Sequence, residues 1–206
     1  MTRSRFVLVT LFAAAGSTVV SAGCVSKGQY SETEAQRDSL SAVSAQQQLE
    51  LQELQASYDS LNTLFAEELA EKDIELEQLA RGVSVTIPSD VLFASGAVSA
   101  SVGDEGRDMV MTLAEYLKGT TYHISVIGHT DSQKPIGRLA QKYPTNWELA
   151  AARAANAVEF LQSQGVNPDQ MVVVSKAEFD PVATNDTEEG RAQNRRIEIV
   201  LRTLPE

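Results

Sequence analysis

The chain reads as an α/β (α+β) protein, a β-α-β-α-β-α-β sandwich preceded by a long helix. Three features carry that expectation. Between Gly28 and Gly82 there is no glycine and no proline. At Val83 the hydrophobic period switches to two, with Val83, Val85 and Ile87 alternating before Pro88. From there to the end, short apolar runs alternate with amphipathic helical stretches. The 206 residues, 43% hydrophobic and 22% charged, suffice for one ordinary domain and an extension.

Composition excludes several functions. A net charge of −11 argues against nucleic acid as a partner, since phosphate binding needs a concentrated basic surface. One cysteine cannot close an internal disulfide, and two histidines leave few soft ligands for a metal. No apolar run suits a polytopic membrane protein.

Residues 1–23 have the layout of a secretory signal: Arg3 and Arg5, the apolar stretch Phe6 to Gly16, then small residues ending Val20-Ser21-Ala22-Gly23. Cys24, the sole cysteine, follows at once. This junction resembles a bacterial lipoprotein signal, with Ser21 where leucine is commoner. The resemblance implies a covalent lipid such as palmitate on Cys24 and no other cofactor. It also implies a lipidated linker over 24–30 and anchoring at the periplasmic face of the outer membrane, Val25 standing where aspartate favours the inner membrane. The alternatives are a plain signal peptide with an incidental cysteine, and an uncleaved membrane helix over Phe6 to Gly23, whose second half is diluted by Gly and Ser.

Residues 31–81 read as a coiled-coil helix. Leu51, Leu54, Tyr58, Leu61 and Phe65 step by three and four along one seam. A four-residue step to Leu69 makes a stutter, and Lys72, Leu76 and Leu79 continue the line. Upstream, Leu40, Val43 and Gln47 extend it more weakly. So narrow a stripe calls for a partner helix, either a second copy of the chain or another envelope protein; the plain alternative is a solvated spacer.

The domain is expected over 83–206. A helix from about Gly103 to Leu117 follows the first strand, then a strand from Tyr122 to Ile127. A polar loop leads to the alanine-rich helix Asn146 to Gln164, with Asn146 as its cap and Gly165 as its stop. Met171 to Ser175 and Arg195 to Leu201 are the remaining strands, with a short helix near Glu188 to Gln193 between them.

Asp131 falls just beyond a strand end, and Asn146 and Arg153 lie seven apart on one helix face. An acid and an arginine brought together there would grip a zwitterion, the acid taking an ammonium and the arginine a carboxylate. From spacing alone, a turn-capping aspartate and a solvated helix arginine are the simpler account of the pattern.

Gly128-His129-Thr130-Asp131, the stretch Asn146 to Ala154 and the stretch Asn185 to Ile199 together resemble the OmpA C-terminal domain family, in the family order and over essentially all of 83–206. The resemblance implies non-covalent binding of peptidoglycan through diaminopimelate, with Asp131 and Arg153 as the paired charges and Asn146 at the helix start. It places Thr130, Phe93 and Gly96 at the border of the cleft. It assigns Asn185, Arg191, Asn194, Arg195 and Arg196 a structural part, tying the last helix to the sheet. The ending Tyr143 to Leu149 of the polar loop is similar to MotB-type members. MotB carries a proton-conducting aspartate in its membrane helix, whereas residues 6–23 contain no acid.

A wall tether without enzymatic activity is therefore expected, with an accessory subunit of a secretion, efflux or motility assembly as the alternative. No serine has an evident His and Asp arrangement, and His123 and His129 lack a third metal ligand.

Overall fold

A computed structural model of the protein describes residues 27–71, 74–93 and 104–203. The chain divides into two units, residues 1–44 and 45–206. In the first, α1 (Lys27–Leu64) begins, and its described side chains from Tyr30 to Ser44 are exposed. Cys24 and the signal segment lie outside the described residues.

In the second unit α1 runs on to Leu64, α2 (Ala66–Glu71) follows, and a five-stranded mixed sheet is built from β1 (Glu75–Leu79), β2 (Gly82–Pro88), β3 (His123–His129), β4 (Met171–Ala177) and β5 (Arg196–Arg202). The strand order is β1-β2-β5-β3-β4, antiparallel throughout except for the parallel pair β3 and β4. That parallel pair is joined by the crossover helix α6 (Asn146–Ser163), as a parallel connection requires. The remaining helices are α3 (Ser89–Leu92), α4 (Asp104–Leu117), α5 (Gly137–Lys142) and α7 (Glu188–Asn194).

One face of the sheet supplies Val83, Val85, Ile87, Ile124, Val126, Ile197, Ile199 and Leu201 to a single buried cluster. The period of two in the strands puts these residues on one side. Val110, Leu113 and Leu117 of α4 and Ala154, Ala157 and Leu161 of α6 complete it at helical spacing. The alanines let α6 come close. A Cβ at Gly128 would sit 2.1 Å from the Ala150 carbonyl oxygen, so β3 and α6 meet backbone to backbone there.

The extended coiled coil over 31–81 is corrected in two ways. The helix ends at Leu64 and α2 at Glu71, and residues 75–79 are a strand. Leu76 and Leu79 satisfy a helical step of three, but the turn before Gly82 folds 75–79 onto the free edge of β2, and pairing overrides the local pattern. Moreover, Leu54, Leu61 and Phe65 of the seam are almost wholly buried, and Leu61 and Phe65 belong to the same cluster as the sheet. The partner of that stretch is the domain itself. Ser57 and Tyr122 share a short hydroxyl contact, and Thr203 donates to Glu50 at 2.7 Å, fastening the helix at two further points.

Candidate functional site

The ends of β3 and β5, the exit of α3 and the start of α6 meet around Asp131. Antiparallel pairing of β3 with β5 sets Gly128 opposite Ile197, which brings Arg195 alongside the residues that follow β3. On the other side, β3 shifts register against β4 between Gly128 and His129, and the Thr130 N–H donates to the Ala177 carbonyl at 2.9 Å. Asp131 is thereby held at the rim by strands on both flanks.

Its carboxylate is buried, and each oxygen has one partner, which leaves further lone pairs open. Oδ1 accepts from the Gln133 N–H at 2.9 Å, and Oδ2 accepts from Arg195 Nη1 at 2.8 Å. Its backbone carbonyl accepts from Asn146 Nδ2 at 3.3 Å. The cap of α6 is Thr145 rather than Asn146, and the Glu148 carboxylate reaches back to the Thr145 N–H at 2.6 Å. Relieved of capping, Asn146 turns its amide to the loop of Asp131, and its Oδ1 is buried without a partner among the described residues. The Thr130 hydroxyl is likewise buried and unpartnered.

Arg153 follows two turns along α6, with its guanidinium carbon 6.0 Å from the centroid of the buried Phe93 ring. Burial pushes this guanidinium below the ordinary arginine range, as does the nearby charge of Arg195, while Asp131 and Asp90 pull it back up. Its Nη1 is buried with no acceptor among the described residues. Gly96 lies outside the described residues.

The Asp131 charge acts on Arg153, but the group bonded to the Asp131 carboxylate is Arg195. Arg195 also donates from Nη2 to Glu188 at 3.0 Å, and Glu188 in turn binds Arg191. Burial works against the Arg195 cation, yet the bonds to Asp131 and Glu188 carry its pKa above the ordinary value. The structural part expected for Arg195 therefore extends to the site. The sequence offers only one hint of this, its position immediately before the last strand.

The rest of the motif does tie loop to sheet. Asn194, wholly buried, accepts from the N–H groups of Val182 and Ala183 and donates to the Ala183 carbonyl and to Asn185. Asn185 accepts from the Ser132 N–H at 3.1 Å, linking that loop to the one after Asp131. Arg191 donates to the Asn185 carbonyl at 2.8 Å. Arg196 binds Glu198 at 2.7 Å and the Asp180 carbonyl at 3.2 Å. His129 Nε2 lies 3.4 Å from Glu198, and with Arg196 it holds that carboxyl down at about 2. No three His, Cys, Asp or Glu side chains converge as a metal site among the described residues.

The arrangement suits a ligand with both charges. A carboxylate fits the unfilled donor of Arg153, where two guanidinium groups raise the positive potential. Asp131, oriented by Arg195 and a backbone N–H, has lone pairs that could accept from a cation.

Known proteins resemble this chain in sequence and fold. The OmpA family model matches residues 92–195. The cell wall anchor of the T6SS from Pseudomonas aeruginosa superposes with a TM-score of 0.63 at 33% identity, over 70% of this chain and 97% of that one. Motility protein B of Helicobacter pylori is 32% identical over 130 residues, 62% of this chain and 49% of its own. The probable lipoprotein YiaD of Escherichia coli is 34% identical over 136 residues, 60% of this chain and 57% of its own. The matches to these two relatives span about half of their length.

Proposed function

The chain belongs to the OmpA family, and from that premise we propose that it binds peptidoglycan non-covalently, without catalysis, and anchors the cell envelope to the wall. The ligand group is the diaminopimelate of the stem peptide, whose far end carries an ammonium and a carboxylate on one carbon. The observation that carries this reading is the pairing of a buried, pre-oriented Asp131 carboxylate with a buried Arg153 donor that has no acceptor among the described residues. A lipid on Cys24 would hold the protein at the periplasmic face of the outer membrane. Loss of fatty-acid labelling in Cys24→Ser is the expected result, and undiminished labelling would exclude it.

The binding test is retention on wall from a diaminopimelate-containing bacterium. Asp131→Ala and Arg153→Ala each leave one charge of the ligand unpaired inside the cleft, at about 2–5 kcal/mol or roughly thirtyfold and upward in affinity. Arg153→Met keeps the packing against Phe93 if the alanine variant melts early. Lys118→Ala, whose partner Glu115 is exposed, serves as the control. Unchanged retention by both site variants at unchanged melting temperature would refute the assignment.

One observation favours a second reading, an accessory subunit of a secretion, efflux or motility assembly. Leu40 and Val43, three apart on one face of α1, are exposed, an apolar edge suited to a second copy or another envelope protein. In-cell crosslinking from residues 30–49 separates the two: a tether yields wall and lipid alone, a subunit yields a defined protein partner.

A further inference from the structure

Beside the cleft, on the β4 side, two aromatic rings stand in solvent. Trp147 is 49% exposed and Phe179 67% exposed, and they stack on each other with centroids 5.4 Å apart and planes 29° apart. Trp147 is the only tryptophan in the chain. Its position is built rather than incidental. It follows Asn146, whose amide holds the Asp131 loop, and its own carbonyl accepts from the Ser175 hydroxyl of β4 at 3.0 Å. Phe179 is brought to it by the exit of β4, where Ala177 adopts a left-handed φ of 48° and the Phe179 N–H closes a turn onto Lys176 at 3.1 Å. A non-glycine residue in that conformation is held there against its preference, a feature that clusters at ligand sites. The Ala177 carbonyl is also the acceptor of the Thr130 N–H. Both halves of the stack are thus tied within two residues to groups of the cleft.

We propose that Trp147 and Phe179 form a second binding subsite, a stacking platform for the amino-sugar rings of the glycan strand. This rests on the wall-binding reading of the Asp131 cleft. The polymer that offers diaminopimelate carries it on a short peptide joined to the sugar, two residues away, a span of roughly 10 Å when extended. Trp147 is one residue, about 3.8 Å between Cα atoms, from the Asn146 that anchors the cleft. Pyranose rings present an apolar, C–H-rich face, and the electron-rich face of an indole receives it, while the polar hydroxyls at the ring edge stay in water. A half-exposed aromatic pair suits such a partly wet ligand. It also divides the labour: the cleft reads the charges of the peptide, and the platform adds affinity from the chain that is present throughout the wall.

The test uses the full chain and three soluble probes: the stem tripeptide ending in diaminopimelate, the disaccharide-tripeptide, and glycan strands stripped of peptide by an amidase. The emission of the single tryptophan gives a direct signal, and calorimetry gives affinity. The disaccharide-tripeptide should bind roughly tenfold or more tightly than the tripeptide. Trp147→Ala and Phe179→Ala should each erase that gain while leaving tripeptide affinity and melting temperature unchanged. Trp147→Phe should restore most of it. Equal affinity for the two peptide probes overturns the proposal, as does an alanine variant that keeps the gain or one that weakens both probes alike. If the tripeptide does not bind at all, the diaminopimelate reading fails. The platform then stands or falls by the stripped glycan, whose binding must be present and must be lost in Trp147→Ala.

Discussion

Cutting Phe65 back to alanine tests the reassignment of α1 from an extended coiled coil to part of the domain. Phe65 and Leu61 are both 0% exposed and share their buried cluster with Val83, Val85, Leu117 and Leu201. Removing a fully buried phenylalanine side chain costs about 3–5 kcal/mol, and a leucine about 2–5, as lost transfer energy plus the cavity that remains. In urea the free energy falls by about 1–3 kcal/mol per molar, so a loss of ~4 kcal/mol moves the midpoint by roughly 2 M at unchanged slope. The assay is equilibrium unfolding of residues 27–206, followed by far-ultraviolet circular dichroism and by Trp147 fluorescence, at two protein concentrations. Leu40→Ala is the comparison, since Leu40 is 69% exposed and should shift the midpoint by almost nothing. A coiled coil gives the opposite pattern, with Phe65→Ala altering a concentration-dependent helical transition and leaving the fluorescence midpoint in place. A midpoint shift in Phe65→Ala below about 0.3 M at both concentrations would refute the packing described here.

Two further outcomes follow from the site and its surroundings. Arg195→Met should weaken wall retention by roughly tenfold or more, because the Asp131 carboxylate loses its 2.8 Å partner, whereas a purely structural arginine would lower the melting temperature and spare retention in the folded fraction. Glu198 sits at about 2 when folded, below its ordinary 4.5, so its stabilisation is complete above pH 4.5 and is lost as pH falls toward 2. Acid titration of stability should therefore be shallower in Glu198→Gln across that window, by about 2 kcal/mol once solvent screening is allowed for; identical acid curves would count against the His129–Glu198–Arg196 cluster.

Much of the domain was legible in the chain because its signals are local. The alternation from Val83, the strand from Tyr122, the alanine-rich run from Asn146 and the strand from Met171 each appear within two residues of their expected bounds. The glycine-free stretch did mark a helix. What failed was the step from helix to partner. A seam at three and four spacing states that one face is buried, and it is the same whether the cover is a second helix or a sheet. β1 was missed for a related reason, since a five-residue strand with two leucines three apart carries too little pattern to outweigh its neighbours.

The site divides the same way. Spacing put Asp131, Asn146 and Arg153 at local landmarks, a strand exit and a helix face, and the family resemblance singled them out. The stack of Trp147 on Phe179 and the bond from Arg195 to Asp131 join residues 32 and 64 positions apart. Nothing local encodes either. The first depends on a left-handed turn at Ala177, and the second on β5 threading between β2 and β3 with Gly128 opposite Ile197. Sequence by itself determined most helices and strands, β1 excepted, and which faces are apolar, because period and chain chemistry act over a few residues. The tertiary structure alone decided what covers the α1 seam and which guanidinium holds Asp131, because strand order and register are settled by burying all those faces at once.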